Sequence, residues 1–483
     1  MGPNVTLLFL GVISVAFASP LLSPDLETLV PTSSGLVRGR VMNNTRVFRG
    51  VPYAAPPVGN LRWTPPQKHN GWVTELDATD FGPSCMQPVH RGKDGKIHGG
   101  WNTINVSRIS EDCLTVNVYA PHNASSLDGR FPVMVYFHAG EFNLGSSNDR
   151  ENDFPHFADD VILVTSNVRL GVFGFLASEA LRSRSPSGGT GNYGMLDQRF
   201  TLEWVQENIA EFGGDPSNVL IWGESSGGTS VSYHMTNRPS FPLFHKAVLQ
   251  SPGLKQVHTW DEGKDNFRFT ISALTIRNSP NCSVDAGKYE AFTDTFVQSR
   301  KYLKESVMAI EAAQQWCTNQ TRCVGFSYDT DRHFAKFVTS IPYIGGIHGR
   351  FPGNLTTYVK SGPTEDAAVM SCLLSASADL LNEATVGVPR GDTFNTDAWA
   401  PVIDGKDLPR SIEDQISAGV LAPNIDVLLG TNEDEASIFM ELVPRIRCEA
   451  TKADFLVSPY PPPPFDPCRG CCREQPSFFR CDN

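Results

Sequence analysis

No run of lysine and arginine appears anywhere in the chain. With 40 Lys and Arg against 52 Asp and Glu, the formal charge is −12. A nucleic-acid partner is excluded on that ground, because counter-ion release at a phosphate backbone needs clustered cations. Long apolar runs are also scarce. Beyond the N-terminus nothing approaches the roughly 18 to 20 apolar residues of a membrane span, so no transmembrane segment is expected. Low hydrophobicity, the mark of disorder, is absent too: 40% of the 483 residues are hydrophobic and 19% charged, which leaves a large globular core and excludes a disordered tail, a coiled coil or a small disulfide knot.

What is present begins with a targeting signal. Val5 to Ala18 is an uncharged apolar stretch closed by Ala16-Phe17-Ala18, a small-x-small pattern that signal peptidase cuts. Residues 1–18 read as a signal peptide and Ser19 as the mature start, so the protein is expected to be secreted. The eleven cysteines fit an oxidising compartment, and their odd number leaves at least one thiol without an intramolecular partner. Sequons at Asn43, Asn105, Asn123, Asn281, Asn319 and Asn354 would accept glycans there.

The segment from Thr32 to Asn60 is rich in β-branched residues and turn signals and reads as short antiparallel strands. Buried parallel strands are expected at VMVYF (Val133 to Phe137), VILVTSNV (Val161 to Val168), NVLIW (Asn218 to Trp222) and AVLQ (Ala247 to Gln250), each a short apolar run. Between the second and third, Leu196, Phe200, Trp204, Val205 and Ile209 recur at helical spacing. Strand, helix, strand in that order implies an α/β fold with a mostly parallel central sheet flanked by helices. From Val284 to Gly362 the pattern turns to polar helical stretches with few sheet-like runs, and sheet character returns at IDVLLG (Ile425 to Gly430).

Gly223-Glu224-Ser225-Ser226-Gly227 fits the G-x-S-x-G elbow, in which a nucleophilic serine occupies a sharp strand-to-helix turn that only flanking glycines can accommodate. The motif follows an apolar strand and precedes the helical run TSVSYHM, the setting an elbow requires. A serine attacking a carbonyl creates an oxyanion that needs backbone N–H donors. Ser226, immediately after the serine, supplies one. Gly140 and Glu141, in the loop His138-Ala139-Gly140-Glu141-Phe142 after VMVYF, supply the others. The plainer alternatives are an ordinary Gly/Ser turn and a strand-ending loop.

The strings FRGVPYAAPPVGNLRWTPPQ, EDCLTVNVYAP, VRLGVFGFL, GNYGMLDQRFTLEWVQENIA and FGGDPSNVLIWGESSGG closely resemble the type-B carboxylesterase/cholinesterase family of α/β-hydrolases, from about Pro31 to Gln250 and again from Asp397 to Met440. The resemblance implies an α/β-hydrolase domain over residues 19–456, hydrolysis of carboxylic esters through a serine acyl-enzyme, and no metal or organic cofactor. It also implies a Cys85 to Cys113 disulfide, an Arg62 to Glu111 ion pair and a clasp between Cys282 and Cys372. In GTNEDEAS the resemblance puts the triad acid at Glu435, which would orient the imidazole and stabilise its cation; Ala436 stands where the family usually has glycine. A solvated acidic turn is the alternative.

Departures from the family are equally informative. The resemblance implies a histidine-glycine turn beyond the acid, yet all eleven histidines precede Glu435. His348 in GGIHGR imitates that turn in the wrong order. Without a base the serine would retain only the residual catalysis of the oxyanion hole and binding, roughly 10³ to 10⁴ over water. The rival expectations are therefore a non-catalytic cholinesterase-like binding or adhesion protein and a truncated isoform without function. Residues 284–362 read as an insertion, in which EAAQQWCTNQTRCVGFSYD weakly resembles a PAN/apple-type module; that module class binds carbohydrate or protein, and a disulfide-stapled surface loop is the alternative. Residues 457–483 form a Pro/Cys-rich tail holding Cys468, Cys471, Cys472 and Cys481. Trp101 stands near where cholinesterases hold a quaternary ammonium by cation–π attraction, with a loop-packing tryptophan as the plainer reading.

Overall fold

The computed structural model describes residues 28–91, 97–99, 104–105, 109–124, 130–149, 152–154, 159–277, 279–282, 288–293, 295–297, 302–320, 322–338, 344–346, 355–360, 366–385 and 399–431. The signal segment, Trp101, His348, Asn354, Glu435 and the Pro/Cys-rich tail lie outside them.

The chain lays down β1 (Arg40–Met42), β2 (Thr45–Pro52), β3 (Thr115–Pro121), β4 (Phe131–Phe137) and β5 (Ile162–Ser166) before the helices α1 (Gly171–Phe175) and α2 (Tyr193–Asn208). Next come β6 (Gly214–Glu224), α3 (Ser226–Thr236), β7 (Lys246–Gln250) and α4 (Trp260–Ile276). A second group follows: β8 (Tyr289–Thr293), β9 (Lys304–Val307), α5 (Ile310–Thr318), β10 (Gly325–Asp329), β11 (Phe334–Val338) and β12 (Leu355–Lys360). Helices α6 (Asp366–Ser375) and α7 (Ala378–Thr385) lead back to β13 (Asp426–Gly430).

Eight strands make the central sheet in the order β13-β7-β6-β4-β5-β3-β2-β1. The five from β13 to β5 run parallel, and β3, β2 and β1 continue the sheet antiparallel. Central strands bury both faces under helices, which explains the near-continuous apolar composition of β5, buried at every position from Ile162 to Ser166. The predicted amphipathic helix is α2, continued by a 3₁₀ turn at Ile209–Phe212. Its buried Asp197 carries a two-pronged ion pair with Arg169, at 2.8 and 2.7 Å. Enclosure of both charges is tolerated because Asp197 also accepts the Arg169 backbone N–H at 3.0 Å and Arg169 donates to the Thr64 carbonyl at 2.8 Å.

Helix α3 is buried along nearly its whole length although seven of its eleven residues are Gly, Ser or Thr. Small residues let its backbone approach the sheet, and the hydroxyls turn back onto their own helix: Ser230 donates to the Ser226 carbonyl at 2.9 Å and Ser232 to that of Gly228 at 3.2 Å.

The structure differs from the sequence reading between residues 284 and 362. Where polar helices and few strands were expected, β8 to β12 form a five-stranded antiparallel sheet in the order β8-β12-β10-β11-β9, with helix α5 against one face. Phe326, Tyr328, Ala335 and Phe337 pack with Ala313 and Cys317 of α5 in a separate small core. Alternate positions on the opposite face, including Val338 and Val359, join the core that holds Phe269, Leu274 and Leu373. The strands are short, and the expected alternation is blurred because both of their faces are partly covered.

Among the described residues three disulfides form, Cys85–Cys113, Cys282–Cys372 and Cys317–Cys323. The second brackets the five-stranded sheet, and the third joins α5 to the loop before β10. Arg62 meets both oxygens of Glu111 at 2.6 Å and donates to the carbonyls of Leu373 and Ala376 at the end of α6.

Candidate active site

The site is built where β6 turns into α3. Ser225 stands between them at φ 55°, ψ −123°, a region that costs a non-glycine residue about 1 to 3 kcal/mol and persists only where its surroundings impose it. Here they do. The Ser225 N–H donates to the Gln250 carbonyl at the end of β7 at 3.0 Å, and the Ser225 carbonyl accepts from the Thr229 N–H at 2.9 Å. A Cβ on Gly223 would lie 2.4 Å from the Gly227 backbone, and one on Gly227 would lie 2.1 Å from the Phe137 carbonyl oxygen. Both glycines are therefore required by space.

Ser225 caps an 11-residue helix. The first N–H groups of a helix have no intrahelical acceptor and carry the positive end of its dipole, so Ser226 presents its N–H beside the serine. Ser225 is half-buried and Ser226 buried.

Strands β4 and β6 are parallel neighbours with Phe137 opposite Gly223, so the loop leaving β4 and the turn leaving β6 emerge side by side at the carboxyl edge of the sheet. In that loop Gly140, Glu141 and Phe142 take φ values of 123°, 56° and 58°. A Cβ on Gly140 would meet the Leu144 carbonyl oxygen at 2.0 Å. The Gly140 carbonyl accepts from the N–H groups of Asn143 and Leu144, both at 3.0 Å, and the Phe142 carbonyl accepts from the Gly171 N–H at 2.8 Å. Asn143 donates its side-chain amide to the Glu141 carbonyl at 2.5 Å. With these carbonyls engaged, the loop is fixed rather than open.

The residues singled out from sequence at Ser225, Ser226, Gly140 and Glu141 thus converge on adjacent strand ends. Glu435 and His348 lie outside the described residues. Among the described residues no imidazole hydrogen-bonds to the Ser225 hydroxyl. His234, more than two turns along α3 from the site, is committed to the core: its Nδ1 accepts from the Ser240 hydroxyl at 2.9 Å and its Nε2 donates to Gln198 at 3.1 Å, and burial pulls its pKa down to about 3. His138 is also buried, which holds its pKa below the ordinary histidine value. Sequence reading named His138 only as the start of the loop. No periodicity or motif announces what its ring touches.

Among the described residues no group of three or more His, Cys, Asp or Glu is placed to hold a metal ion, and no described helix is long and apolar enough to cross a membrane.

The model of the carboxylesterase family matches residues 26–278, slightly more than half of the chain. The chain belongs to the carboxylesterase family. Fumonisin B1 esterase of Sphingopyxis macrogoltabida is 39% identical over 53% of this chain and 45% of its own length. Para-nitrobenzyl esterase of Bacillus subtilis (strain 168) is 40% identical over 51% and 48%. The chain therefore spans about half the length of the curated relatives it matches. A solved PNB esterase structure superposes with a TM-score of 0.57 at 27% identity, covering 86% of this chain and 65% of that one. The central sheet with its flanking helices is an α/β-hydrolase fold, and the family match stops at residue 278, before the five-stranded sheet.

Proposed function

We propose that this chain hydrolyses carboxylic esters through an acyl-enzyme on Ser225. The observation that carries the reading is the strained Ser225 backbone at the head of α3, fixed by the Gln250 carbonyl. Strain of that kind persists where the side chain has to be presented.

In this reading the Ser225 hydroxyl attacks the ester carbonyl. The developing negative charge is met by the backbone N–H groups of Ser226, Gly140 and Glu141, and the alcohol leaves with the proton taken from the serine. Water then reverses the sequence and frees the acid. Preorganised donors of this type supply about 10² to 10³ in rate each. Glu435 is the orienting acid by family position. The general base has no candidate among the described residues, and no histidine follows Glu435 in the sequence. The substrate is a small-molecule carboxylic ester, as the names of the matched relatives suggest, and the Cys85–Cys113 and Cys282–Cys372 bonds support synthesis in the secretory pathway with residues 1–18 as its signal.

A second reading is favoured by the inserted sheet over residues 284–362. With its own core and disulfide, it supports a non-catalytic carboxylesterase relative that binds carbohydrate or protein through this module. Titration with a fluorophosphonate probe separates the two. Stoichiometric labelling of the wild type, abolished in Ser225→Ala, is the expected result; a wild type that stays unlabelled while remaining folded overturns the esterase reading.

A further inference from the structure

One buried imidazole in the loop after β4 is not used by the chemistry proposed above. His138 Nδ1 lies 2.8 Å from the carbonyl oxygen of Ala139, the next residue. Its Nε2 is buried and has no hydrogen-bond partner among the described residues. A carbonyl oxygen can only accept, so Nδ1 must carry the proton. Burial favours the neutral ring, which leaves Nε2 with a bare lone pair. An orphaned buried acceptor is a cost to stability, so its presence calls for another explanation.

The bond constrains a peptide plane. The Ala139 carbonyl and the Gly140 N–H belong to the same peptide unit, and that unit is trans, so the two groups point in opposite directions. Whatever holds the oxygen on one side aims the N–H to the other. The surroundings are shaped around this grip. A Cβ on Gly145 would stand 2.4 Å from the Ala139 oxygen and 2.5 Å from His138 Nδ1. Gly145 is held in turn by Gln87, which accepts its N–H at 3.0 Å and donates to its carbonyl at 2.9 Å. Gln87 is itself tied down, donating to the Cys85 carbonyl at 3.1 Å and accepting from Asn382 of α7 at 2.7 Å.

We propose that His138 is the positioning residue of the oxyanion loop: by gripping the Ala139 carbonyl, its Nδ1–H locks the Ala139–Gly140 peptide with the Gly140 N–H turned toward Ser225. This rests on the reading of Gly140 as an oxyanion donor. A flipped peptide would present an oxygen to the developing anion in place of a donor.

Two measurements test it. In full-length protein labelled with ¹⁵N-histidine, the His138 signal, assigned by its loss in His138→Asn, should have the shifts of a neutral ring protonated at Nδ1; protonation at Nε2 overturns the proposal. The second is the rate of fluorophosphonate labelling in variants with wild-type melting curves. His138→Leu, which has no donor, should label about 10² to 10³ times more slowly, the loss typical of one oxyanion donor. His138→Asn, whose amide nitrogen can occupy the Nδ1 position, should stay within about tenfold of wild type. Equal rates for His138→Leu and wild type overturn the proposal. A wild type that does not label overturns the reading of Ser225 instead, and a crystal structure of His138→Leu then decides: an Ala139–Gly140 peptide in unchanged orientation refutes the grip, and a turned one supports it.

Discussion

The Phe137 carbonyl oxygen occupies the space that a side chain on Gly227 would need, 2.1 Å from the position of its Cβ. This contact joins the end of β4 to the first turn of α3 and so sets the spacing between the oxyanion loop and the serine. Gly227→Ala must push strand and helix apart. We expect it to lower unfolding free energy by about 1 to 3 kcal/mol, the usual cost of overpacking, and to depress Ser225 labelling by more than that loss explains. Urea unfolding and labelling rate, measured on the same sample, check it.

Glu141 stands at φ 56°, where a side chain costs about 1 to 2 kcal/mol that glycine avoids. Glycine returns part of that gain through the greater freedom of the unfolded chain. Glu141→Gly should therefore raise unfolding free energy by about 0.5 to 1 kcal/mol. The carboxylate also sits on a residue whose N–H is proposed to face an anion, so its removal should speed hydrolysis of neutral esters. Slower hydrolysis would mean that the charge serves substrate binding.

The elbow was legible because its glycine spacing, the apolar strand before it and the small-residue helix after it are all local. The five-stranded sheet was not. In KESV and YEAFT the polar positions hide the strand, and what holds β8 to β12 together is a core shared with α5 and with the far side of the hydrolase domain. The His138 grip was equally hidden, since it depends on Gly145 and Gln87 closing from elsewhere in the chain. Glu435, inferred from family position, falls outside the described residues.

Burial pulls the His234 pKa from near 6.5 to about 3. The unfolded chain takes up a proton below pH 6.5 that the folded chain refuses, so stability is complete above that pH and declines as pH falls toward 3, by up to about 1.4 kcal/mol per unit. The lowered His138 pKa acts in the same direction. His234→Asn should be less stable at pH 7, having lost the bond to Gln198, but its stability should fall less steeply with acid. Urea midpoints from pH 7 to pH 4 would reveal the difference in slope; parallel lines would contradict it.

Cys282 and Cys372 close a loop of sequence separation 90, whereas Cys317 and Cys323 are 6 apart. On chain-entropy grounds, replacing the first pair by serine should cost about 4 to 5 kcal/mol and the second about 2. The long-range pair also fastens the segment before β8 to α6. Its loss should leave β8 to β12 open to limited proteolysis under conditions where the central sheet still resists.

Among the described residues β13 is the last strand of the central sheet on the side of β7. β13 is hydrogen-bonded to β7 in register, with Gln250 opposite Gly430, and the Ser251 N–H donates to the Gly430 carbonyl. Yet Val427, Leu428 and Leu429 are 49, 66 and 63% exposed, so packing by the described residues adds little to those bonds. Weakly packed strands open first. Opening at β13 has one strand to cross before it releases the Gln250 carbonyl, which holds Ser225 in its costly conformation. Warming should therefore silence the serine while the middle of the sheet is still intact, and the chemistry of this protein should fail at a lower temperature than its fold.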